Sequence, residues 1–226
     1  MKTLIIALGL TLSPIINAAS IDDIDMAMNQ MNLKALGELT QQSQGYTKAY
    51  GAYRQAVAAG VMGQKALQIS AAAEAASILE SSEFAADAEA KALLAAVYGV
   101  QIGASPELGA SLGAKIATLM QQAAALAPNN PRVALIAGIN AFYTPVAFGG
   151  GEQKALEAIA FAIDGFKAPC SDICWGEAEA YTWRGLVHQQ QGDLIAATAD
   201  WQQALMVDAN YGWANYLLES VGNVPQ

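Results

Sequence analysis

The stretch Glu177–Tyr211 reads EAEAYTWRGLVHQQQGDLIAATADWQQALMVDANY, and its spacing decides the fold. Small residues fall at Gly185, Ala197 and Ala204, bulky ones at Tyr181, His188 and Trp201, and Gly192-Asp193 makes a turn between the two halves. Two antiparallel helices approach closely only where their side chains are small, and bulky side chains must then fill the space on either side. The stretch therefore predicts a helical hairpin, one arm over 175–191 and the other over 193–207.

The same unit recurs upstream. Gln121-Gln122-Ala123 followed by Ala127-Pro128-Asn129 matches Gln202-Gln203-Ala204 followed by Asp208-Ala209-Asn210 at a constant offset. Both segments read as the second helix of a hairpin and its exit turn. Arg132 to Ala162 keeps the register, with Gly138 and Ala162 at the small positions and a few extra residues between its helices. Elsewhere, helical periodicity is punctuated by Gly and Pro, and strand-like alternation is absent. Helices are predicted over 21–39 (broken near Asn32), 46–59, 64–80, 82–102 with Ser82 as N-cap, 108–126, 131–143 and 152–166. Pro131 is tolerated at the first helical position because its missing N–H would lack a partner there. A last helix over 211–221 would cover the open end of a stack. The expected fold is all-α, a helical-hairpin superhelix (an α-solenoid) forming a single domain over 20–226, with the clearest repeats at 131–166 and 177–211.

Residues 1–19 read as a signal peptide. Lys2 precedes an apolar run from Leu4 to Leu12, Pro14 follows it, and Asn17-Ala18-Ala19-Ser20 offers small residues for cleavage. The run is shorter than the ~20 residues a membrane span needs. The expected destination is the periplasm, without stable membrane insertion. The formal net charge is −9 with only 11 Lys and Arg, which argues against nucleic acid and anionic membrane surfaces as partners. Cys170 and Cys174 are the two cysteines. In an exported protein such a pair is expected to form a disulfide, here fixing the approach to the helix near Trp175. A redox-active pair and half of a metal site are the other readings.

Further motifs carry a family resemblance. They are Pro128-Asn129-Asn130-Pro131-Arg132, Tyr143-Thr144-Pro145, Phe148-Gly149-Gly150, Lys154-Ala155, Trp175-Gly176 and Tyr211-Gly212-Trp213-Ala214. Together with the Gly185, Ala197 and Ala204 register they resemble periplasmic bacterial tetratricopeptide-repeat (TPR) proteins. The chain is also distantly similar to the T component associated with TRAP transporters. The resemblance spans roughly residues 98–218. It implies that the first helix of each repeat lines a concave groove. Arg132, Leu135, Ile139, Phe142 and Tyr143 would face it from one repeat, and Glu179, Thr182, Leu186 and Gln189 from the next. Mixed aromatic, Arg and amide groups suit recognition of a peptide, a partner protein or a small ligand.

Catalytic constellations are not legible. His188 is the one histidine and stands where a hairpin packs its two helices, without a nucleophile elbow to serve. Gly149-Gly150-Gly151 lacks the Gly-Lys-Ser/Thr continuation of a phosphate loop and reads as a turn, with Pro145 and Phe148 pinning it against the stack. Asp22, Asp23 and Asp25 lack the spacing of a calcium loop and read as a helix start or a solvated end. The expectation is an exported scaffold that holds a peptide, a partner protein or an assembly component in the concave groove, rather than an enzyme, with no metal and no cofactor. The alternative is a solute-binding accessory of a TRAP-type transporter, with a pocket near Phe142, Tyr143 and the glycine loop.

Overall fold

In the computed structural model, residues 19–170 and 173–222 are described. The expected signal peptide lies almost entirely outside them. Eleven α-helices and three short 3₁₀ turns account for the regular structure, with no strand among the described residues. The helices are α1 (Ile21–Asn29), α2 (Leu33–Gln42), α3 (Gly45–Val61), α4 (Lys65–Leu79), α5 (Ala88–Ala104), α6 (Gly109–Leu126), α7 (Pro131–Tyr143), α8 (Glu152–Phe166), α9 (Glu177–Gln190), α10 (Leu194–Val207) and α11 (Gly212–Gly222).

Local chemistry sets the boundaries. Ser20 and Asp23 form a capping box at α1, the Asp23 N–H donating to Ser20 Oγ and the Ser20 N–H to Asp23 Oδ2. The break near Asn32 occurs where Met31 takes a left-handed φ of 51° and Asn32 caps α2 by accepting from the Ala35 N–H. The expected start at Ser82 is corrected. Ser82–Phe84 is a 3₁₀ turn anchored by buried Phe84, and α5 starts at Ala88 under an Asp87 cap. Trp175 likewise lies ahead of α9 rather than inside it.

Helices pack in adjacent pairs: α3 with α4, α5 with α6, α7 with α8, and α9 with α10. Successive pairs also touch through their first helices, α3 to α5, α5 to α7 and α7 to α9. Two of these pairs have a glycine at the contact. A Cβ at Gly138 would meet Ile159 Cγ1 of α8 at 2.5 Å, and one at Gly185 would run into the Trp201 ring and Ala197 O of α10. One apolar core extends from Ile24 of α1 to Val187 of α9, and a second is built around fully buried Trp201.

The first and last parts of the described chain also meet. Trp175 Nε1 donates to Tyr46 Oη of α3 (3.1 Å), and Asn29 Nδ2 at the end of α1 donates to Asp208 Oδ2 beyond α10 (2.9 Å). Gly212 lies so close to Asn29 that a Cβ there would sit 2.5 Å from the Asn29 carbonyl oxygen.

Candidate binding cleft

Where these parts meet, the surface is hollowed into a cleft of about 900 Å³. α1 forms one wall, with Asp22, Asp25, Met26 and Asn29. The opposite wall is the end of α8 and the segment after it, including Phe166, Lys167 and the Cys170–Cys174 disulfide. The start of α9 and the turn between α10 and α11 complete the rim, with Glu177, Asp208 and Tyr211.

Arg54 of α3 lies at the floor with only 5% of its surface exposed. Its Nη2 donates to Glu179 Oε2 at 2.7 Å, and its Nε donates to Tyr50 Oη at 2.7 Å and lies 3.3 Å from Asp25 Oδ1. Tyr50 Oη in turn donates to Asp25 Oδ1 at 2.6 Å. The guanidinium sits over the rings of Tyr50, Tyr53 and Trp175 at 4.9, 5.6 and 5.6 Å. A delocalised, weakly hydrated cation suits such an aromatic box better than a lysine ammonium would.

Burial and charge act in opposition here. Burial opposes the charge on Arg54, but the carboxylate of Glu179, supported by Tyr50 and Asp25, outweighs it, and the guanidinium is held well above its ordinary value. For Asp25 the balance goes the other way. Desolvation raises its carboxyl above the usual range despite the nearby Arg54 and the Tyr50 hydrogen bond. Burial also lifts Tyr50 and Tyr211, so both keep their phenolic protons.

The groove residues expected from sequence are distributed over several environments. Arg132 and Glu179 both line the cleft. Arg132 is bound to Glu89 of α5 through Nε, 2.8 Å from both carboxylate oxygens, beside an Asn130 side chain that donates to the same carboxylate. Leu135 and Thr182 are fully buried, and Thr182 Oγ1 donates to the Ala178 carbonyl. Ile139, Phe142 and Leu186 are half-buried against the core, and Gln189 is half-buried on α9. Phe142 and exposed Tyr143 form an edge-to-face cluster with Trp183, which also meets Trp213.

Other readings are refined. Cys170 and Cys174 are bonded to each other. His188 Nε2 lies 3.8 Å from Asp200 Oδ2, on the carboxylate that Arg184 of the same helix holds through two hydrogen bonds. Phe148 is 81% exposed and Pro145 is exposed too, so neither pins the glycine loop. Main-chain bonds do, from the Gly150 N–H to Pro145 O and from the Gly151 N–H to Ala141 O. Gly150 leaves no room for a Cβ beside Thr144 and Ala141. Of the three N-terminal aspartates, Asp23 caps α1, while half-buried Asp25 joins the Tyr50 and Arg54 network at the cleft floor.

Asp25, Arg54 and Trp175 of the cleft lining, and the fully buried Tyr50 that bonds Asp25 and Arg54, are residues that the sequence did not bring together. No local signal marks them: Arg54 stands one turn after Tyr50 on α3, a helix that also carries Lys48 and Gln55. Among the described residues no group of three or more His, Cys, Asp or Glu side chains is placed to hold a metal ion. No helix there is long and apolar enough to cross a membrane. Comparison of the chain with protein-family models, curated proteins and solved structures gives no match.

Proposed function

We propose that this protein is an exported TPR-like scaffold whose hairpins stack as a superhelix, and that it binds a peptide or a segment of a partner protein in the cleft between α1 and the disulfide. The carrying observation is the cleft itself, about 900 Å³, floored by the Arg54–Glu179 ion pair, which no ligand has to organise. Support for the stacked arrangement comes from the chain of first-helix contacts, α3 to α5 to α7 to α9. Support for export comes from the Cys170–Cys174 bond, which persists in oxidising compartments. Leu135 and Thr182 act in this reading as core, while Arg132 and Glu179 shape the cleft. No catalytic step is part of the proposal.

A second reading, a solute-binding accessory of a TRAP-type transporter, is favoured by one feature: the recess has the size of a small-ligand pocket. A photo-crosslinking residue at Met26, exposed on the cleft wall, separates the two. Activated in the native periplasm, it should give one recurrent protein adduct, competed by excess unlabelled protein and absent when the crosslinker is placed at Glu38 of α2. A retained small molecule with no protein adduct would move the assignment to the solute accessory. Equal, uncompeted labelling at both positions would overturn the cleft as a binding site.

A further inference from the structure

The charge balance of the cleft names the chemistry it takes. Five carboxylates line it, Asp22, Asp25, Glu177, Glu179 and Asp208, against three cations, Arg54, Arg132 and Lys167. The two arginines are committed to buried carboxylates, and Lys167 stands in a solvent-exposed pair. Arg54 is held by Glu179 and Asp25, while Arg132 and Lys167 are turned to Glu89 and Asp164, which are outside the cleft lining. Asp22 and Glu177 have no ion pair among the described residues. Burial raises the Glu177 carboxyl, so that group has lost water without gaining a cation.

A second observation lies deeper. The Glu179 side chain is only 7% exposed, and Arg54 engages its Oε2 alone. No hydrogen bond reaches Glu179 Oε1 among the described residues. That atom is not sealed in protein either, because the buried side-chain atoms lacking a partner are on Asn140 and Trp183. Glu179 Oε1 is therefore an unpaired acceptor on a largely buried carboxylate of the cleft lining. Trp175 and Phe166 add aromatic groups to the same lining.

Resting on the reading of the cleft as a binding site, we propose that its ligand presents an organic cation, a primary ammonium or a guanidinium, which enters between Asp22 and Glu177 and ends on Glu179 Oε1. A basic side chain of a peptide and a small free amine share this chemistry.

Calorimetric titration of the purified protein tests it with four probes: a blocked lysine-rich hexapeptide, a blocked arginine-rich hexapeptide, their glutamate counterpart and 1,5-diaminopentane. Saturable binding of a cationic probe and none of the glutamate peptide is expected. Peptide binding without diamine binding would assign the source to a peptide, and the converse to a small amine. The double variant Asp22→Asn, Glu177→Gln should weaken binding about tenfold. The charge-matched control Glu107→Gln, Glu219→Gln, on exposed positions outside the cleft lining, should leave it unchanged. Matching thermal melts would show that both variants fold. Binding of the glutamate peptide as tight as the basic ones, equal weakening by the control, or no binding of any cationic probe would overturn the proposal. If the Met26 crosslinker still captured a competed partner in that case, the cleft would stand as a site and only its cationic specificity would fall.

Discussion

Arg54 is the side chain on which the cleft floor depends. It is buried, it bridges α3 to α9, and it neutralises two acidic groups. Removing one member of such a group leaves an uncompensated buried charge. Arg54→Met should therefore cost about 3–5 kcal/mol, read by urea unfolding. The double variant Arg54→Met, Glu179→Met should recover a large part of that loss, since the orphaned carboxylate goes too; an additive cost would show that the two groups are not coupled. Asp25 gives a prediction with a sign. Its carboxyl is raised on folding, chiefly by desolvation. Its contribution is therefore fully present below the ordinary value of about 4 and is lost as pH rises through the raised folded value. Asp25→Asn keeps an oxygen for the Tyr50 hydroxyl but cannot ionise. Its melting temperature relative to the parent should climb from pH 4 to pH 7, and a flat or falling difference would refute desolvation as the dominant cause. None of this was readable along the chain. Asp25, Arg54 and Glu179 are far apart in sequence, and no local rule relates them.

At the scale of the elements, sequence and structure agree where the signal is local. α7 and α8 begin and end where Pro131, the Thr144–Gly151 loop and Phe166 place them, and α10 follows its Asp193 cap. The most displaced start, at α5, arose because two capping residues compete there and the Asp87 side chain, not Ser82, reaches an N–H in the first turn. The glycines separate packing from flexibility. A Cβ at Gly185 would meet Trp201 and the Ala197 carbonyl, whereas at Gly99 and Gly113 it would meet nothing within 4 Å. Gly185→Ala should thus destabilise by about 1–3 kcal/mol through overpacking of α9 on α10. Gly113→Ala, inside α6, should stabilise by about 0.5–1 kcal/mol by restricting the unfolded chain. Denaturant midpoints of the two variants should move in opposite directions. The repeat register found Gly185 because a hairpin demands a small residue at that spacing. It was silent on Gly113, where nothing demands one.

At the scale of the whole molecule, the contact between its first and last described helices sets it apart from a linear array of hairpins. A linear array of hairpins transmits a perturbation to nearest neighbours only. Here α1 and α3 contact the start of α9 and the α10–α11 turn through Asn29–Asp208, Tyr46–Trp175 and Arg54–Glu179. These are side-chain contacts across long sequence separations, which is why repeat spacing could predict the hairpins but not their closure. The pairing of Tyr46 with Trp175 offers a mild way to test the closure, because Tyr46→Phe removes one hydroxyl and leaves the ring. Combined with Asn29→Ala, it deletes two of the three polar links without touching the helix interiors. If the two parts support one another, amide hydrogen exchange should accelerate together in α1, the first turn of α9 and α11, while the α5–α6 hairpin at the middle of the chain keeps its protection. Faster exchange confined to α1 and α3 would mean that the C-terminal hairpin stands without the clasp and that the cleft is a surface feature of two independent parts. Joint acceleration would make the cleft a joint between them, so that a ligand seated there would raise protection in both parts at once, in proportion to its occupancy.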